Sequence, residues 1–386
     1  MKRVFSGLLI FCLVAALFFA FAPGLLESSM NKVERQERAA PSAEAIALHK
    51  TLVVGDLHTD STLWHRDLLE RAERGHVDIP RLQEGNVALQ VFTSVTKSPA
   101  GLNYEENSAD SIDSITLLAI SQRWPRATWS SLTARALYQG QRLAELEQRA
   151  PEQFKLIRNK ADLAQLLAAR AAGEQIVGGI LGTEGSHALD GNLEAIDALF
   201  DAGFRTMGLQ HFFDNRLGGS LHGQSGAGLT EFGKAAVDRM VASQVIIDVA
   251  HSSPAVVSDV LARVKTPLIV SHTGFYGHCQ GPRNISDDLM KQIAAGGGLI
   301  GVGYWDAAVC ATDVDNIVAA MRYGIDLVGV DHVALGSDFD GSVITPMDTS
   351  ELVLLTDAML GKEFTEEEIR KVMGGNLARF MAENLP

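Results

Sequence analysis

Eight short apolar, β-branched runs recur between residues 52 and 338, and longer segments with helical periodicity separate them. The runs are LVVGDL, NVALQVFT, IVGGILG, FRTMGLQ, VIIDVA, PLIVSH, GLIGVGY and HVALGSD. Segments such as NLEAIDALFDAG, FGKAAVDRMVASQ and SDDLMKQIAAGGG carry apolar residues at spacings of three and four, with Gly after the last turn. Strands that alternate with helices pair in parallel, and eight such units predict an α/β fold, a closed (β/α)8 barrel of the TIM type. A doubly wound open sheet is the structural alternative. The stretch 97–175 is too long for a simple connection, and SIDSITLLAISQRW and TARALYQGQRLAELEQR within it predict a helical insertion between strands 2 and 3.

The chain divides into three parts. Residues 1–26 have a short basic start and about twenty mostly apolar positions, enough to span a bilayer. Pro23 follows the one small-residue site, Ala20 to Ala22, and disfavours cleavage there. An uncleaved transmembrane anchor is therefore preferred to a cleaved signal segment. Export follows in either case, with a membrane-anchored periplasmic domain in the first and a secreted one in the second. Residues 27–48 are polar and Ala-rich and read as a linker, and residues 49–386 form one catalytic domain. The net charge of −14 and the lack of a basic stripe argue against a nucleic-acid partner. Of three cysteines, Cys12 lies in the apolar segment, leaving Cys279 and Cys310. One disulfide suits an oxidising compartment, and two separate buried thiols are the alternative.

In a barrel of this kind the active site collects where strands end. The first run exits into His58 and Asp60, the third into Glu184, the fourth into His211, the fifth into His251, the sixth into His272 and the eighth into Asp338. His58 and Asp60 are two apart, so an extended backbone points both the same way and they can grip one ion. Imidazoles and carboxylates without thiolates suit zinc or another divalent first-row metal in an open catalytic site. Singly, each residue has a plainer reading: Asp60 as a helix cap, Glu184 as the partner of an Arg. Their joint placement after six of eight strands favours the metal site. His49, His65, His76 and His332 lack this register and read as structural or solvent-facing.

The motifs DLHTD, TEGSH, LQH, DVAHSS, SHTG followed by GPRNISDD, GSDFDG and GGNLARF occur in that order. In this the chain resembles the membrane dipeptidase family, also called renal dipeptidase, over residues 50–382. The resemblance implies a two-zinc enzyme on a (β/α)8 barrel. His58 and Asp60 would bind one zinc, His251 and His272 the other, and Glu184 would bridge both. It makes His211 and Arg283 substrate-binding residues and Asp338 the proton-handling carboxylate, and it implies a disulfide between Cys279 and Cys310. The implied reaction is hydrolysis of small dipeptides, those with a C-terminal D-residue included, by a hydroxide bridging the metals. Asp338 passes the proton to the departing amine, His211 supports the oxyanion and Arg283 holds the terminal carboxylate.

Departures from the family pattern are Thr59 and Gln210, neither of them a ligand, and the loop HFFDNRLGGSLHGQSGAG at the expected pocket. His222 and His278 lie in such loops and read as surface residues rather than substrate contacts. No GxSxG elbow or reactive Cys calls for a serine or cysteine nucleophile. Two alternatives stand beside the metallo-dipeptidase: another metal-dependent amide, lactone or phosphoester hydrolase on this barrel, and a non-catalytic membrane-tethered binding protein. Partners are then a dipeptide and the membrane, with a homodimer left open.

Overall fold

The computed structural model describes residue 19 and residues 21–386. The expected anchor lies for the most part outside the described residues. Among those described, no helix is long and apolar enough to cross a membrane.

Eight strands build the centre: β1 (Val54–Thr59), β2 (Val87–Val95), β3 (Val177–Glu184), β4 (Phe204–Gly208), β5 (Ile246–Asp248), β6 (Ile269–Thr273), β7 (Leu299–Val302) and β8 (Val333–Leu335). Each pairs in parallel with the next, and Leu335 of β8 pairs with Asp56 of β1. The ring is closed, so the (β/α)8 barrel holds and the open sheet does not. All eight strands are buried along their length. Helices cover one face and the barrel interior fills the other, which explains why the runs are apolar without strict alternation.

Two layers of packing follow. Leu57, Leu89, Ile180, Ile246, Ile269 and Leu299 cluster with Leu377, Phe380 and Met381 of the C-terminal helix Asn376–Asn384. That helix lies at the start of β1, where Leu377 packs against Gly55, and it seals the end of the barrel opposite the strand exits. The larger cluster joins the outer faces of the strands to the surrounding helices. Near the strand exits the backbones come unusually close. A Cβ on Gly336 would stand 2.2 Å from the Ser271 carbonyl oxygen and 2.8 Å from Gly301, so β6, β7 and β8 converge there only because these positions have no side chain.

The insertion between β2 and β3 contains helices Ser114–Ser121, Leu132–Arg149 and Lys160–Ala171. The first two match the helical stretches read from sequence; the third is capped by the Asn159 side chain. A short strand, Phe154–Leu156, adds to β3. Arg135 is buried and binds the Thr96 and Thr128 carbonyls at 2.6 Å each and the Asp113 carboxylate at 2.5 Å. These bonds fix the insertion to the exit of β2, beside the site. Residues 27–48, read as a linker, pack on the barrel: Lys32–Val33 pairs in parallel with Ile344–Thr345, and Ala43–His49 is a helix capped by Ser42. Cys279 and Cys310 are joined in a disulfide that links the loops after β6 and β7.

Candidate active site

The strand exits bring all eight singled-out residues to one place. His58 lies in β1 with Asp60 just beyond it, Glu184 ends β3, and His272 lies in β6. His211, His251 and Asp338 follow β4, β5 and β8 by three residues, and Arg283 comes from the loop after β6. All are buried. His251 and Asp338 adopt left-handed backbone, with φ of 60° and 59°. That conformation is uncommon for residues with a side chain and is tolerated where the surroundings enforce it.

Glu184 stands at the centre. Its Oε1 lies 3.3 Å from Nε2 of both His251 and His272 and 3.6 Å from Nε2 of His58. His58 Nε2 is also 3.6 Å from Asp60 Oδ1 and 3.9 Å from Asp338 Oδ1. Glu184 Oε2 faces His211 Nε2 at 3.3 Å. Metal bonds of about 2.1 Å at tetrahedral angles separate neighbouring ligand atoms by roughly 3.4 Å, close to these spacings. Among the described residues, three acid-and-imidazole groups capable of holding an ion overlap here: His58, Asp60 and Glu184; Glu184, His211 and His251; and His58, His272 and Asp338. The donor set thus fits metal binding, with Glu184 shared.

One hydroxyl orients two imidazoles and a second holds Asp60. Ser271 Oγ lies 3.0 Å from His58 Nδ1 and 2.9 Å from His272 Nδ1 and can accept from both, leaving both Nε2 atoms free as ligands. Thr93 Oγ1 is 2.6 Å from Asp60 Oδ1 and 3.1 Å from His58 Nε2. Below them, buried Asp56 accepts from the backbone of His58 at 2.9 Å and of Ser337 at 3.0 Å. It ties β1 to the loop that carries Asp338. Sequence reasoning assigned a role to none of the three. Each shows in the sequence only as a polar residue inside an apolar run, which by itself assigns no role.

The electrostatics point the same way. Three carboxylates share a buried centre whose fixed cation is Arg283. Burial by itself would depress the His58 imidazole, yet Asp60, Glu184 and Asp338 outweigh it and push it up to about 10. Burial, reinforced by Asp60, raises Glu184 well above the ordinary carboxylate range. Asp338 is pushed up to about 8, chiefly by burial, against the pull of His58 and Arg283. Burial lowers His211 to about 4 and depresses His251 and His272 as well. Such a centre is short of positive charge, and a bound cation relieves the shortage.

The centre opens into a cavity of about 460 Å³. Arg283 is fully buried; its Nη2 binds the His272 carbonyl at 2.9 Å, while Nη1 has no partner among the described residues. Tyr104 and Leu102 of the insertion and Phe212 of the loop after β4 also line the space. His222 departs from its surface reading. It is buried, with Nδ1 2.8 Å from the Tyr104 carbonyl and its ring stacked on Phe212 at 4.8 Å. It clamps the insertion to the loop after β4. His278 stays half-buried beside Tyr323.

A family model described as membrane dipeptidase (peptidase family M19) matches residues 42–385. The chain belongs to the membrane dipeptidase family. It is accordingly a metallo-dipeptidase, a hydrolase of peptide bonds. An uncharacterized protein in the pqqA 5′ region of Klebsiella pneumoniae is 28% identical over 227 residues, 55% of this chain and 84% of that one. Among solved structures, a metallopeptidase from Rhodobacter sphaeroides liganded with a phosphinate mimic of the dipeptide L-Ala-D-Ala is similar at TM-score 0.69 and 24% identity, over 87% of this chain and 100% of that one. The probable dipeptidase PvdM from Pseudomonas aeruginosa is similar at TM-score 0.73 and 18% identity, over 89% and 98%. At these identities the two structures show the barrel fold of the dipeptidase family.

Proposed function

We propose that this dipeptidase is a binuclear zinc enzyme that cleaves small dipeptides, including those with a C-terminal D-residue. The observation that carries the reading is Glu184, which stands between His58 with Asp60 on one side and His251 with His272 on the other. His58 and Asp60 would hold one ion, His251 and His272 the second, with Glu184 common to both. The absence of thiolates from this donor set favours zinc over softer metals. D-residues are included because the Rhodobacter sphaeroides neighbour was solved with a mimic of L-Ala-D-Ala.

When bound, the metal ions polarise the scissile carbonyl and lower the pKa of the attacking water toward neutrality. The residues do the rest. Asp338, whose Oδ1 faces the centre 3.9 Å from His58 Nε2, would take up the proton of the attacking water and return it to the departing amine. His211 holds its Nδ1–H on the Lys97 carbonyl at 3.3 Å and turns Nε2 toward Glu184 and the substrate space, where it would contact the substrate carbonyl. The unpartnered Nη1 of Arg283 awaits the terminal carboxylate of the substrate. A neutral lactone or cyclic amide has no carboxylate for the charge-assisted pairing that a guanidinium makes, which favours a dipeptide. Export and tethering through the N-terminal segment complete the proposal.

The test assays release of free amino acids from an L,L and an L,D dipeptide by the full-length protein, with bound metal quantified and a chelated control. Chelator-sensitive cleavage of both, with close to two zinc ions per chain, is the expected result. Tight metal binding without cleavage of either peptide would overturn the reading.

A further inference from the structure

The family match begins at residue 42, yet the active-site cavity has a wall that comes from before it. Residues 21–30 are helical, and Leu26 and Met30, one turn apart on one face, line the same cavity as Asp60, Glu184, Arg283 and Asp338.

The segment is held by charge, not by grease. Glu27 is only 1% exposed, and both carboxylate oxygens are taken, Oε1 by Arg66 and Oε2 by Arg74 Nε at 2.6 Å. Arg66 goes on to bind the Asp340 carboxylate and the Val77 carbonyl. Asp340 lies two residues beyond Asp338, so one ionic chain runs from the N-terminal helix to the loop that carries Asp338. Asn31 Oδ1 accepts from the Ser342 amide of that loop at 2.8 Å. The Lys32 and Glu34 amides bind the Val343 and Thr345 carbonyls at 3.2 and 2.8 Å. A buried carboxylate with two guanidinium partners specifies one docking position, because any other leaves charges unpaired in the interior.

The geometry points to Leu26 and Met30 as specificity-determining residues: they form an apolar wall that contacts the side chain of the bound dipeptide and favours bulky aliphatic residues over glycine. Both are partly exposed at the cavity mouth, at 44% and 38%, so an apolar substrate side chain gains area by covering them. Glu27, Arg66 and Asp340 act as positioning residues. This assignment rests on the dipeptidase reading and gives that site its substrate class.

The experiment uses the full-length protein and compares kcat/KM for Gly-Ala, Ala-Ala, Leu-Ala and Phe-Ala, and for the corresponding Ala-X series, in wild type, Leu26→Ala, Met30→Ala and the double variant. The ratio of Leu to Gly substrates is expected to fall roughly tenfold in the double variant in at least one series, the discrimination a lost hydrocarbon contact provides. An unchanged ratio, or a loss that scales all substrates alike, overturns the proposal. A second measurement does not need turnover: hydrogen exchange at the amides of Asn31, Lys32 and Glu34. These are expected to be protected in wild type and to exchange at least tenfold faster in Glu27→Gln, while open-chain exchange in wild type would overturn the docked wall. Protected amides in a protein that cleaves no dipeptide would instead strike down the dipeptidase reading, and with it the side-chain preference, while leaving the docked segment in place.

Discussion

His251 Nε2 and His272 Nε2 stand 2.9 Å apart in the barrel mouth. Two lone pairs cannot face each other so closely unless a proton or a cation lies between them. Burial keeps both rings neutral, so either one of them donates its Nε2–H to the other or both turn their lone pairs to a shared cation, the arrangement proposed above.

Metal removal should therefore cost stability as well as turnover. A metal present at a thousandfold excess over its Kd stabilises the folded state by about 4 kcal/mol. The thermal midpoint is expected to fall by several degrees on exhaustive chelation and to recover with zinc. Glu184→Gln preserves the shape but not the charge shared between the two ligand pairs, so its metal content should drop by at least half. Full metal retention in that variant would remove Glu184 from the bridge.

Asp338 faces the proposed ligands from farther off. Its Oδ1 stands 3.9 Å from His58 Nε2, against 3.6 Å for the Asp60 and Glu184 oxygens, and burial raises its carboxyl above the ordinary range. Asp338→Asn should retain its metal and lose kcat by about 10²- to 10⁴-fold, the usual worth of a general acid–base group. Normal turnover in this variant would place the proton transfer elsewhere.

Arg283 separates binding from chemistry. Its Nη1 has no partner among the described residues, while its guanidinium lies over the Trp305 ring at 5.2 Å, which fixes the plane of the fork. Lysine can supply the charge but neither the fork nor the stacking. Arg283→Lys is expected to raise KM by roughly ten- to a hundredfold with a smaller change in kcat, the signature of lost uniform binding. A fall in kcat at constant KM would mean that the guanidinium acts on the reacting atoms instead.

The parts of the site legible in the sequence were those with a local rule. His58 and Asp60 share a face because a strand repeats every two residues, and the other acids and imidazoles stand out because they follow apolar runs. Thr93 and Ser271 carry no such mark, since one hydroxyl inside an apolar strand looks the same whether it orients a ligand or satisfies a neighbour. The segment after residue 26 read as a linker because Glu27, Lys32, Glu34 and Arg35 are charged. Glu27 is buried only through Arg66 and Arg74, some forty residues away, and pairing across such a distance leaves no pattern in either stretch.

His222 shows the same limit and yields a test. Its loop is rich in Gly and Ser, which suggests solvent, yet Phe212 from that loop and Tyr104 from the insertion enclose the ring. Burial, with a smaller push from Arg283, holds the imidazole neutral down to about pH 3, the value to which its pKa is lowered. In the unfolded chain the same group protonates near pH 6.5. Between those limits the unfolded state binds more protons than the folded one, so the stability it contributes is complete above about pH 6.5 and is lost as the pH falls. The slope approaches about 1.4 kcal/mol per pH unit while only the unfolded form is protonated. His222→Asn keeps a donor for the Tyr104 carbonyl but has no group that titrates in this range. Its thermal midpoint should lie below that of wild type at pH 8, because the smaller side chain leaves a gap on Phe212, and it should fall less steeply between pH 7 and pH 5. Parallel midpoint curves for the two proteins, measured with saturating metal, would mean that His222 is solvated or already charged in the folded state.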